Sequence, residues 1–346
     1  MSGATIPPAK AEPAGLEREF VFSDRHFQTL RQWAMRLAGI SLSDAKRELV
    51  YGRIVRRIRA MRLAGFDAYC ELLENNPEQE VGAFINAITT NLTSFFREDH
   101  HFQFVSQTLV PYWQRTREPN ARLKVWSAGC STGEEPYSLA MTLLESLPAP
   151  MGRALKILAT DIDTDVLASA AEGVYDAERV QGIDQSRLQR WFLRGKSPVE
   201  NKVRVIPELQ KVIDFRHLNL MTPWPFKGPL DLIFCRNVVI YFDKETQRRL
   251  FQRFAELLAP DGHLVIGHSE TLYGVSEEFD LVGRTIYRKL LKPADASRLR
   301  CSPGFPSLKP RWQGLSTSIG TGIRCGKRFP PNCTRGSTTL PTSPKT

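Results

Sequence analysis

The stretch Leu123-Lys-Val-Trp-Ser-Ala-Gly-Cys-Ser-Thr-Gly-Glu-Glu-Pro-Tyr-Ser138 runs from a buried-strand pattern through two glycines into the start of a helix. Gly129 and Gly133 allow the backbone to turn sharply and to approach a ligand closely. Glu134 and Glu135 open the helix, and Pro136 suits its first turn. A phosphate-binding loop needs bare N–H groups and positive charge, and carboxylates at that spot repel a pyrophosphate. They attract a sulfonium or an ammonium instead. The loop also lacks the GxGxxG spacing of dinucleotide folds and the GK[ST] of a phosphate loop. Among open α/β folds it therefore favours S-adenosylmethionine over NAD or ATP.

Working outward, strand-like runs at 123–128, 155–160, 212–215, 230–235 and 263–267 alternate with helical ones, the pattern of a parallel sheet wound with helices. The interval 172–211 is too long for one crossover. It holds a helical piece (186–192) and the β-branched run Val203-Arg-Val-Ile206, which predicts a small β-containing excursion inserted in the sheet domain. Ligands of such sheets sit at the carboxyl ends of the strands, where an acid after the second strand can take ribose hydroxyls. Asp161 is placed for that role, and Asp163 for capping a helix that begins near Thr164. Asn219 is a candidate for an adenine edge, with Leu220 packing beside it, and Asn237 for the amino-acid moiety; alone, either Asn reads as a turn residue.

Residues 20–91 read as consecutive helices, a small bundle. Ser23-Asp24 caps the first, whose stripe is Phe27, Leu30, Ala34 and Leu37 and which ends near Gly39. The second runs from Ser43 or Asp44 to about Gly65, the third over 67–74, the fourth over 80–88. Another helix covers 101–113. The expected organisation is a flexible leader (1–19), a helical domain (20–91), a linker and connecting helix (92–120), the sheet domain (121–290) and a disordered basic tail (291–346).

The net charge of +10 suggests nucleic acid until it is located. From Leu291 onward there are ten basic residues and one acid, so +9 lies in the tail and the body is nearly neutral. No nucleic-acid partner is expected. Apolar runs never reach the ~18 residues of a membrane span, so no membrane insertion is expected either, and the cytoplasm is the expected location. Six dispersed cysteines without a CxxC pair, and histidines without HExxH, argue against a metal or a disulfide framework.

Five motifs, in order, carry a resemblance: Asn91-Leu-Thr-Ser-Phe-Phe-Arg-Glu98, Ser131-Thr-Gly-Glu-Glu-Pro-Tyr-Ser138, Ala159-Thr-Asp-Ile-Asp163, Cys235-Arg-Asn-Val-Val-Ile-Tyr-Phe242 and Gly267-His-Ser-Glu270. From about Phe20 to Leu290 the chain resembles the CheR-type chemotaxis receptor glutamate O-methyltransferases. The resemblance implies an all-α N-terminal domain followed by a class I, doubly wound methyltransferase domain with a small antiparallel β-subdomain. It implies a cofactor pocket lined by Asn91, Thr93, Arg97, Glu134, Asp161, Asn219, Leu220, Arg236 and Asn237, with Arg97 and Tyr241 beside the transferred methyl. The implied partner is the cytoplasmic domain of a methyl-accepting chemotaxis receptor, and the implied product is S-adenosylhomocysteine. In some members the β-subdomain also grips a peptide at the receptor's C-terminus as an added edge strand; the segment 194–205 is a candidate for this, and the alternative reading is a hairpin that only stabilises the domain.

The implied acceptor needs no general base, because a Glu carboxylate with a pKa near ~4.3 is already ionised at neutral pH. Arg97 can orient it with two parallel bonds, and Tyr241 can offer a hydroxyl and an aromatic wall. Without the motif, Arg97 reads as a salt bridge to Glu98 or Asp99, and Tyr241 as packing. On the second helix Tyr51, Ile54, Ile58 and Met61 form the packing face, while Arg53, Arg56 and Arg59 form a basic one suited to an acidic receptor helix; only Glu48 opposes seven basic residues between Lys46 and Arg62. The rival readings are a same-fold methyltransferase acting on nucleic acid or a small molecule, and a non-catalytic receptor-binding module.

Overall fold

A computed structural model describes residues 18–195 and 201–291. Most of the leader, the tail from 292 onward and part of the 194–205 segment lie outside the described residues.

Four helices form the N-terminal bundle: α1 (Asp24–Ala38), α2 (Arg47–Met61), α3 (Phe66–Asn75) and α4 (Pro77–Ile88). The Ser23 hydroxyl accepts from His26 N–H at 3.2 Å, and left-handed Gly39 closes α1. A 3-10 turn (Asp44–Lys46) precedes α2, which stops at Met61, short of Gly65, because Arg62 turns left-handed (φ 54°). Helix α4 begins at Pro77, three residues before Glu80, since proline is free to occupy a first turn that needs no N–H. Phe27, Leu30, Ile54, Ile58, Phe66 and Phe84 fill the core; Leu37, Tyr51 and Met61 are only half-buried. Glu80 is fully buried among them, bound by Arg57 Nε (2.8 Å) and Nη2 (2.7 Å) and by the Tyr69 hydroxyl (2.9 Å).

A connecting helix follows as α5 (His100–Phe104), a π turn (Val105–Leu109) and α6 (Val110–Thr116). The sheet domain comprises β1 (Lys124–Ala128), α7 (Glu134–Ser146), α8 (Ala149–Ala154), β2 (Lys156–Asp161), α9 (Thr164–Glu172), the excursion with β3 (Val174–Asp176), α10 (Gln185–Trp191), β4 (Phe192–Arg194) and β5 (Lys202–Val205), then α11 (Pro207–Gln210), β6 (Ile213–His217), β7 (Leu230–Cys235), α12 (Lys244–Leu257), β8 (Leu258–Ile266), β9 (Phe279–Gly283) and β10 (Ile286–Lys289). The seven-stranded order is β6-β2-β1-β7-β8-β10-β9. The first five strands are parallel, and β10 and β9 are added antiparallel. The order reverses between β1 and β7, the switch point at which such sheets bind ligands. Strand β8 starts five residues before the expected 263, through a bulge opposite Leu230–Leu232.

The excursion is an antiparallel sheet, β3-β5-β4. It is clamped to the main domain by Tyr175 Oη donating to Thr132 O (2.7 Å) and by Trp191 Nε1 donating to Glu145 (2.7 Å). The Phe95 ring packs on Tyr175 and Phe192, with centroids 5.0 and 5.5 Å away.

Removing the charge of Glu80 leaves Arg57 and the Tyr69 hydroxyl short of a partner, so Glu80→Gln should cost about 2–4 kcal/mol, read as a lower urea midpoint at unchanged slope. Burial depresses His101 to about 3 and His263 to about 4. Both stay neutral in the fold and take up protons on unfolding, so stability should fall as pH drops from about 6.5 toward 4. Urea titrations over that window check this, and His263→Gln should make the fall shallower.

Candidate active site

At the carboxyl ends of β1, β2 and β7 lies a cavity of about 310 Å³. Gly129 and Ser131 reach it from the loop after β1, and Asp161 from the end of β2. Asn219 and Leu220 follow β6; Arg236, Asn237 and Tyr241 follow β7. The linker supplies Asn91, Thr93 and Arg97, and the helical bundle supplies Ala38, Ile40, Lys46 and Leu49. Glu134 is not among the lining residues. It is fully buried at the start of α7, bonded by Thr132 Oγ1 (2.7 Å) and ion-paired with Arg179 of the excursion. Its neighbour Glu135 faces the cavity. Arg53, Arg56 and Arg59 stand outside it.

The glycine loop is shaped by sterics. Gly129 has φ 92°, and a Cβ there would sit 2.4 Å from Val238 Cγ2. Ser131 is left-handed too (φ 49°); its N–H donates to Asp161 Oδ2 (2.8 Å) and its hydroxyl to Asn91 O (2.9 Å). Asp161 also accepts from Asp163 N–H (3.0 Å). Burial raises its carboxyl pKa despite these bonds, and burial likewise raises Glu135 despite Arg236 (Nη1 to Oε2, 3.1 Å) and the Ser127 hydroxyl (2.7 Å). Asp163 caps α9 through Asp165 and Val166 N–H and holds the Thr89 hydroxyl and the Asn91 amide, each at 2.7 Å.

Several expected contacts are already engaged within the chain. Asn219 donates to Leu37 O (2.6 Å) and accepts from Met221 N–H (2.9 Å), so its amide staples the bundle to the sheet domain. Arg97 does not pair with Glu98 or Asp99; it donates to Leu92 O (2.8 Å). Asn237 is left-handed (φ 58°), and its N–H donates to Glu270 Oε2 (2.9 Å). Glu270 further accepts from Gly267 (2.6 Å) and Ile240 (3.3 Å) N–H. Sequence reasoning quoted Glu270 within a motif without giving it work; it organises the turn after β7. It gave Ser131 no role, and of the two acids that it read as attracting a sulfonium it assigned Glu134, not Glu135, to the pocket. Tyr241 takes Ser41 N–H on its carbonyl (2.8 Å), and Lys46 Nζ lies 4.9 Å from its ring centre.

The basic face of α2 changes most. Its acids come from distant segments: Arg47 pairs with Asp24, Arg57 with Glu80, Arg59 with Glu19. Arg53 donates to Ile88 O (2.7 Å), Thr89 O (2.6 Å) and Thr90 Oγ1 (3.1 Å), closing the end of α4. Of the three expected arginines, Arg56 alone has no partner of this kind among the described residues. Glu98, His100 and His101 bring possible metal-ligand atoms within 4.8 Å of one another. Both Glu98 oxygens are engaged, Oε1 by His268 (2.8 Å) and Oε2 by Arg236 (3.5 Å), and that guanidinium opposes a metal cation.

Residues 91–288 match a family model described as the SAM binding domain of CheR methyltransferase, and residues 25–89 match its all-alpha domain. The chain belongs to the CheR methyltransferase family. A chemotaxis protein methyltransferase of Escherichia coli (strain K12) is 46% identical over 274 residues, 79% of this chain and 93% of that protein. Chemotaxis protein methyltransferase 2 of Pseudomonas aeruginosa is 45% identical over 284 residues, covering 82% and 99%. A chemotaxis protein methyltransferase of Borreliella burgdorferi is 36% identical over 256 residues, covering 72% and 89%.

This CheR methyltransferase thus uses S-adenosylmethionine, and the cavity fits that donor. The backbone at Gly129 leaves room where a Cβ would collide, and the carboxylates of Glu135 and Asp161 favour a cation. Among the described residues no helix is long and apolar enough to cross a membrane. Gly129→Ala forces both a strained φ and the Val238 collision. It should weaken S-adenosylhomocysteine binding at least roughly tenfold in calorimetry, by the cost of displaced packing and backbone strain.

Proposed function

We propose that this methyltransferase esterifies glutamate carboxylates on the cytoplasmic domain of chemotaxis receptors. The observation that carries the reading is the polarity of the cavity. Asp161 and Glu135 are buried in its wall, Glu135 paired with Arg236, whereas Arg97 bonds the carbonyl of Leu92, which is 81% exposed, and Lys46 stands over the ring of Tyr241. A cationic donor suits the carboxylate of Asp161, and an anionic acceptor suits the cations of Arg97 and Lys46.

Asn91, Thr93, Gly129, Asp161, Leu220, Arg236 and Asn237 would hold the donor, with Asn219 fixing the wall behind it. S-adenosylmethionine supplies an electrophilic methyl group at this place. The chain's own residues orient the acceptor and limit its water shell. Arg97 binds the carboxylate oxygens with its fork, and Tyr241 offers a hydroxyl donor and an apolar wall. The acceptor is ionised at neutral pH, so no residue has to remove a proton.

Recognition of the receptor involves two surfaces in this reading. On α2, Arg56 and Arg62 carry no acidic partner among the described residues and steer an acidic helix toward Lys46 and Arg97. Arg53 and Arg59 act there too, but through the local structure they hold. In the excursion, β4 is an edge strand with Leu193 53% exposed, which suits addition of an extended receptor peptide.

Incubation with labelled S-adenosylmethionine and a receptor cytoplasmic fragment should give an alkali-labile ester on glutamate; alkali-stable label would overturn the assignment. Arg97→Ala should lower turnover roughly a hundredfold and Tyr241→Phe roughly tenfold, with S-adenosylhomocysteine affinity changed much less. Arg56→Ala should lower kcat/KM about threefold at low salt, and the difference should shrink at high salt. Arg53→Ala is a less specific probe, because it also frees Thr90 beside the cofactor segment.

A further inference from the structure

Arg97 sits in a turn that the backbone does not favour. Phe96 (φ 53°) before it and Glu98 (φ 58°) after it are both left-handed, and neither is glycine. Such conformations persist only where the surroundings hold them. Phe96 is held by its N–H donating to Ser138 Oγ (2.9 Å) and by its ring under Arg187 (4.4 Å). Glu98 is held through its carboxylate, whose side chain is 11% exposed. Oε1 takes His268 Nδ1 at 2.8 Å, while Oε2 takes His268 N–H at 3.0 Å and faces Arg236 Nη2 at 3.5 Å. The same Arg236 Nη2 donates to the carbonyl of Arg97. Three segments therefore meet on one carboxylate: the linker turn and the turn after β7, which both reach the cavity, and the turn after β8.

Among the described residues the Arg97 guanidinium makes a single hydrogen bond, to Leu92 O, so the backbone of 96–98 sets where it points. His268 does not line the cavity, and its side chain is 65% exposed. Whatever it contributes passes through Glu98.

We propose that Glu98, seated between His268 and Arg236, is a positioning residue for methyl transfer, holding the left-handed turn that presents Arg97 to the acceptor carboxylate. This rests on the placement of Arg97 at the acceptor end. Burial alone would raise the Glu98 carboxyl pKa; its bond to His268 and the nearby Arg236 outweigh that and lower it, so the group is an anion in both bonds.

The test is a cycle of Glu98→Gln, His268→Gln and the double variant in the full chain. The readouts are turnover and KM on a receptor fragment, S-adenosylhomocysteine affinity by calorimetry, and the Arg97 Nε–H resonance, assigned with Arg97→Lys. Glu98→Gln should cut kcat at least about tenfold with KM and product affinity within about threefold, and His268→Gln should cut kcat about threefold. The double variant should be no slower than Glu98→Gln alone, because both act through one carboxylate. The Arg97 resonance, single in the wild type with S-adenosylhomocysteine bound, should broaden or split in both single variants. Additive losses, product affinity falling in step with turnover, or an unmoved Arg97 resonance would each overturn the proposal. Should Glu98→Gln fail to fold, exposed His268 still permits its substitution, and unchanged turnover and resonance there would overturn it. Should the wild type transfer no methyl to receptor glutamates, the function proposed above fails, while the Arg97 resonance still decides the role of Glu98.

Discussion

Arg236 leaves the carboxyl end of β7 with 5% of its surface exposed, and a guanidinium so placed has to be paired. Burying a charge costs several kcal/mol unless opposite charge and hydrogen bonds meet it. Glu135 at the start of α7 and Glu98 in the linker supply the charge, and the Arg97 carbonyl accepts a further bond, while Nε has no hydrogen-bond partner among the described residues. A single side chain thereby fixes three elements around the cavity. The sheet sets where Arg236 emerges; Arg236 then sets where the helix start and the linker must lie.

The helical bundle is a wall of the same site. Asn219 reaches Leu37, Ser41 reaches the Tyr241 carbonyl, and Gly39 sits where any Cβ would lie 2.7 Å from Met221 Sδ. Asn86 and Thr164 bond across the same boundary (3.0 Å), and Thr89 reaches Asp163. Arg53, which closes the end of α4, steadies the chain where bundle becomes linker. A face that looks like a docking surface in sequence is therefore partly internal architecture.

Much of this is legible in the sequence. The caps of α1, the bounds of β7 and the loop between β1 and α7 follow from local chemistry: a hydroxyl at the N-cap, an uninterrupted apolar run, glycines before acids. What sequence reasoning missed was relational. Glu134 and Glu135 are neighbours about 100° apart on a helix, and of the two only Glu135 lines the cavity. The basic run of α2 looked unopposed because its acids, Glu19, Asp24 and Glu80, come from other segments. Asn219 lines the cavity, and only packing shows that its amide also holds Leu37. Pairings between distant segments leave no period in the sequence.

The wall shared by bundle and sheet domain has a thermodynamic consequence. A donor enclosed there touches both bodies at once, so the free energy of its binding also resists their separation. With the ligand bound, the two parts should melt as one cooperative unit, even though each has its own apolar core. The contacts that such a donor reinforces are those of Asn219 with Leu37 and of Ser41 with Tyr241.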